Sequence, residues 1–102
     1  MLLREAGVEG MIGDLLESFV QDAPLRFAAL EQAMLGEDSK AIESAAHAFK
    51  SGAGTIRATF LADILLEIEM AGRTGHLKAA GDLIEPIRTE YLAVMRELGA
   101  QQ

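Results

Sequence analysis

Ala46-His47-Ala48-Phe49-Lys50-Ser51-Gly52-Ala53-Gly54 is the stretch from which the rest of the chain is most readily read. A helix advances roughly 100° per residue. On that wheel Ile42, Ala45, Phe49, Ala53 and Ile56 form one apolar face. His47 points roughly 160° away from the centre of that face. Lys50, Ser51, Gly54 and Ala58 share the side of the histidine, and Ser44 lines it too. The spacing therefore predicts a helix that buries Phe49 and shows solvent an imidazole, a nearby ammonium and little bulk. Such a surface suits close approach by another protein.

Outward from this stretch, apolar residues recur at helical spacing, and strand-type alternation is absent. Five segments are predicted. The first covers about residues 8 to 21, with Ile12, Leu15, Leu16 and Phe19 inward. The second runs from about Ala23 to Leu35 on Phe27, Leu30 and Met34, with Gly36 as its stop. Pro24 suits a first helical turn, and these two segments read equally well as one helix kinked there. The third starts at Asp38 or Ser39, carries His47 and ends near Arg57. The fourth spans about Thr59 to Ala71, with Leu61, Ile64, Leu65 and Ile68 inward, and Gly72-Arg73-Thr74-Gly75 follows as a loop. The fifth runs from about His76 to Leu98 on Leu77, Ala80, Ile84, Ile87, Tyr91, Val94 and Leu98. Pro86 inside it should kink or divide the helix. The expected fold is all-α: an antiparallel four-helix bundle with an additional N-terminal helix, forming a single domain over residues 1–102.

Bulk properties narrow the function. The formal charge is −7, with 16 acidic against 9 basic residues. Nucleic-acid binding needs clustered cations to replace counterions, so no nucleic-acid partner is expected. An anionic membrane surface is disfavoured in the same way. No apolar run approaches the roughly 18 residues of a membrane span, and the first residues lack a signal-peptide pattern. Cysteine is absent, which removes disulfides and thiolate metal sites. A cytoplasmic location is expected.

His47 stands out by its company, because most exposed histidines, His76 among them, have no such neighbours. Lys50 is one turn on and can reach a group attached to the ring. Glu43 is one turn before and is placed to orient or polarise it. Arg57 lies on the flank of Lys50, farther along. A phosphoryl group on His47 would meet cations on one edge and free space on the other, and lysine suits phosphate as a point charge. Gly54 costs helix stability where packing gives no reason for it, which close docking would explain. Two histidines without cysteine give no zinc spacing. A Glu43–His47 acid–base pair on a convex face has no water-excluding pocket to work in.

His47-Ala48-Phe49-Lys50-Ser51-Gly52-Ala53-Gly54-Thr55-Ile56-Arg57-Ala58 resembles the signature of histidine-containing phosphotransfer (HPt) domains. The likeness extends through Leu61-Ala62, Ile64 and Ile68-Glu69. Upstream it includes Leu15-Leu16-Glu17-Ser18-Phe19-Val20-Gln21-Asp22-Ala23-Pro24. Ser51 and Arg57 depart from the family pattern, both standing where glycine is usual. The resemblance implies a helical bundle with His47 as phosphoacceptor and Lys50 stabilising the transferred group. Glu43, Ser44, Ser51, Gly54, Arg57 and Ala58 would then belong to the binding surface. It also implies a response-regulator receiver domain as partner, or a histidine kinase. Mg²⁺ would be on the receiver alone, with no cofactor on this chain and no independent turnover. The alternative is a helical module that docks a receiver domain or another bundle without being phosphorylated.

Overall fold

The computed structural model describes residues 9–101, with side chains over 13–99; position 8 and the Ile12 side chain lie outside those bounds. Five helices follow in order: α1 (Glu9–Leu35), α2 (Ser39–Thr55), α3 (Thr59–Arg73), α4 (Leu77–Asp82) and α5 (Ile84–Gln101). α1 packs on α2, α2 on α3, and α3 on α4 and α5, which return to α1 and close the bundle. The connections are short, so α1, α2, α3 and the divided α4–α5 segment run antiparallel in turn. The end of α3 meets the start of α2 at Gly72, and the start of α5 meets the end of α1 through the Arg88–Glu31 ion pair.

The first two segments form one helix, with Pro24 inside it. What the sequence sets apart as an additional N-terminal helix is the first part of α1. Proline removes one backbone donor, but Phe19, Ala23, Phe27 and Leu30 are buried on both sides of it and carry the helix through. Leu15, expected inward, is exposed. The last segment is divided. α4 stops at Asp82, and Pro86 falls in the first turn of α5. There its missing N–H leaves no helical bond unmade, whereas a continuous helix would set its ring against the Asp82 carbonyl.

The core joins all the helices. Phe49, Leu30, Ile42, Leu61, Leu65, Ile68 and Ile87 are fully buried. Phe27 stacks on Tyr91 at 4.8 Å between centroids, and Phe49 meets the Tyr91 ring edge-on at 5.9 Å.

Three of the reversals share one geometry. After α1, Glu37 N–H bonds to Met34 and Asp38 N–H to Ala33; after α2, Arg57 bonds to Gly54 and Ala58 to Ala53; after α3, Gly75 bonds to Gly72 and His76 to Ala71. Each is a Schellman ending, which places one residue in the left-handed region. Those residues are Glu37 (φ 52°), Arg57 (φ 63°) and Gly75 (φ 75°). Gly36, the expected stop, is the residue before the left-handed position rather than the position itself.

Candidate functional site

α2 starts where the Asp38 side chain accepts the Ala41 N–H at 3.1 Å, which caps the helix. Ile42, Ala46, Phe49 and Ala53 then fix its rotation by burial. With that face inward, the His47 side chain is 62 % exposed. Ser44, Ser51 and Gly54 are exposed on the same helix. A Cβ added to Gly54 would meet nothing within 4 Å, so packing does not require glycine there. The Ser51 hydroxyl donates to the His47 carbonyl at 3.2 Å and is engaged with the backbone.

The carboxylate that reaches the histidine comes from α3, not from Glu43. Glu69 is 3 % exposed, buried between α2 and α3. Its Oε2 lies 3.1 Å from His47 Nδ1 and accepts from Arg73 Nη2 at 3.0 Å. Lys50 Nζ stands 2.7 Å from Oε1 and forms an ion pair with it. Lys50 is accordingly only 27 % exposed by its side chain and is not the free surface lysine the wheel suggests. The Lys50 ammonium holds the Glu69 carboxyl below its ordinary 4.5, and His47 adds to this; burial opposes both.

Glu43 is one turn before His47, as expected, but its Oε2 accepts from Arg73 Nε at 2.8 Å. Its partner is therefore Arg73, and the ring orientation expected of Glu43 falls to Glu69. Arg73 itself was expected in a loop. α3 runs on through Gly72 because α2 passes so close that a Cβ there would lie 2.7 Å from the Glu43 nitrogen and 2.9 Å from the Ser39 carbonyl. The helix runs two residues beyond Ala71 and delivers Arg73 to both carboxylates.

Arg57 and Ala58 lie beyond the end of α2, so the wheel does not apply to them. Arg57 occupies the left-handed position of the turn. Glycine is favoured there by backbone conformation, which accounts for the family preference without appeal to a partner. Ala58 is half-buried just before α3.

Two elements of the site escape a single-helix reading, Glu69 and Arg73. Their signal was spacing on the next helix: four residues apart, they share one face, and Glu69 interrupts a run of buried apolar positions.

No helix among the described residues is long and apolar enough to cross a membrane. No curated protein matches the chain. The structure is similar to the crystal structure of histidine-containing phosphotransfer protein B (HptB) from Pseudomonas aeruginosa PAO1. The TM-score is 0.85 and the identity 31 %, over 94 % of this chain and 87 % of that one. The family model described as Hpt domain matches residues 14–99. An exposed histidine backed by a buried carboxylate and a lysine, on this bundle and within this match, leads to one conclusion. The chain belongs to the Hpt domain family, the histidine phosphotransfer intermediates of two-component phosphorelays.

Proposed function

We propose that His47 is the phosphoacceptor and that it exchanges a phosphoryl group with the aspartate of a receiver domain. One observation carries this reading: Nδ1 faces the buried carboxylate of Glu69 at 3.1 Å. A carboxylate is an acceptor only, so the proton resides on Nδ1 and the lone pair on Nε2. The Nε2 lone pair forms the N–P bond as the P–O bond to the aspartyl carboxylate breaks, and the electron pair leaves with that carboxylate. The Nδ1 proton stays in place, and the resulting phospho-imidazolium carries its positive charge against Glu69. The reverse reaction returns the group to a receiver.

Little covalent chemistry is asked of the carrier. Positioning and charge neutralisation supply the rate. Lys50 follows His47 by one turn and is placed to neutralise phosphoryl oxygens. Ser44, Ser51 and Gly54 leave room for the partner to dock. Mg²⁺ belongs to the receiver, and this chain needs no cofactor and turns over no small substrate. A histidine kinase is the other source of phosphate. The reading places the protein in the cytoplasm, where both partners present their phosphoryl groups.

Incubation with phosphorylated receiver domains tests it. Wild type should acquire acid-labile phosphate and His47→Gln none. Phosphate on the variant would refute the assignment of His47. Receiver binding with no phosphate on wild type would favour the docking module instead.

A further inference from the structure

The four charged side chains behind His47 balance one another. Glu43 and Glu69 contribute two negative charges, and Lys50 and Arg73 two positive ones. A phosphoryl group brings between one and two further negative charges. Among these side chains, the cations available to it are both already on Glu69. At least one must leave, and a buried carboxylate stripped of its cations is strongly destabilised.

The geometry distinguishes the two. Among the described residues Lys50 pairs with one carboxylate, Glu69, at 2.7 Å. Arg73 makes directional bonds to two, Nη2 to Glu69 and Nε to Glu43. Its guanidinium is thereby fixed across the α2–α3 crossing, anchored by a residue that does not touch the histidine. Lys50 is the cation that is free to move, and Arg73 the one that stays.

We propose that Arg73 is a positioning residue for phosphotransfer: clamped by Glu43, it keeps Glu69 neutralised so that Lys50 can swing from Glu69 to the phosphoryl group. This rests on His47 being the phosphoacceptor. Glu43 contributes by preventing Arg73 from following Lys50. Without Arg73, Glu69 retains Lys50 more tightly and the phosphoryl group loses its counter-charge.

The experiment is a double-mutant cycle with phosphoramidate, a small donor whose P–N bond breaks with release of ammonia. The rate of phosphorylation of His47 is measured for wild type, Arg73→Ala, Lys50→Ala and the double variant, each checked for folding by circular dichroism at the assay temperature. Arg73→Ala should slow phosphorylation about tenfold when Lys50 is present, the scale of one charge-assisted hydrogen bond. It should slow the rate by a clearly smaller factor when Lys50 is absent, because there is then no ammonium to release. Arg73→Lys keeps the charge but not the two-carboxylate fork, and should restore only part of the rate. Equal losses in both backgrounds, or no loss beside Lys50, overturn the role of Arg73. A merely structural role would lower both backgrounds alike. Absence of phosphate on wild type would instead refute the reading of His47.

Discussion

Glu69 Oε2 stands 3.1 Å from His47 Nδ1, so the imidazole is held from a different helix than the one that carries it. The carboxylate partner of the ring is not a neighbour on α2. The contact depends on how α3 is seated.

The tautomer follows from this contact. In ¹⁵N NMR the His47 ring should show the proton on Nδ1. Glu69→Ala should weaken that bias and slow phosphorylation by about 10–100-fold, the usual effect of losing a partner that orients a histidine. Glu69→Gln keeps an acceptor for Nδ1–H and should retain most of the rate. If alanine and glutamine behave alike, the contact does not set the tautomer.

Stability should fall with acid in a defined window. The folded state holds Glu69 below its ordinary 4.5, so the folded state binds fewer protons than the unfolded one there. Its contribution is present above about 4.5 and is lost as pH falls below that value toward the folded pKa. Chemical denaturation of wild type and Glu69→Gln across this range should show a steeper acid loss for wild type. Parallel curves would contradict the lowered carboxyl.

Gly72→Ala should damage both fold and site. Its Cβ would stand 2.7 Å from the Glu43 nitrogen, and backbone does not yield as a flexible side chain does. Separation of α2 from α3 should cost about 1–3 kcal/mol, read as a lower denaturation midpoint, and should slow phosphate acceptance as Glu69 recedes from His47.

Arg57→Gly should stabilise the domain. A left-handed conformation costs a non-glycine residue about 1–2 kcal/mol, and glycine's greater unfolded-state freedom returns part of that. A gain of about 1 kcal/mol corresponds to roughly 4–8 °C in Tm for a domain of this size. Arg57→Ala keeps the Cβ and should gain little, which separates backbone strain from the loss of a surface charge.

Phe49→Ala should destabilise by about 3–5 kcal/mol. Phe49 is 1 % exposed and packs against both Phe19 and Tyr91, so the bundle cannot close over the space it leaves. A harmless Phe49→Ala would mean that the rotation of α2, and with it the outward aim of His47, is misassigned.

Helical periodicity made the bundle legible because it records burial directly. Phe49, Ile42 and Ala53 face inward on α2, and Leu61, Ile64, Leu65 and Ile68 on α3, at the spacings read from sequence. His47 and Lys50 were legible because they share a helix. Glu69 and Arg73 act across an interface, and a wheel drawn for one helix contains no information on which residue of another stands opposite. For the same reason sequence points Glu43 at the histidine one turn away and not at Arg73, thirty positions later. Arg57 was misplaced because a wheel runs on past the residue at which a Schellman turn ends the helix.

The Glu69 contact also means that the signature motif is not a self-sufficient unit. A peptide copied from α2 would contain His47, Lys50, Ser51 and Gly54, yet not the Glu69 carboxylate that faces Nδ1. If His47 is the phosphoacceptor as proposed, acceptance is a property of two helices in register. Partial opening between α2 and α3 would silence the carrier before the remainder of the bundle melts, and its chemical competence would report on local order at a single crossing.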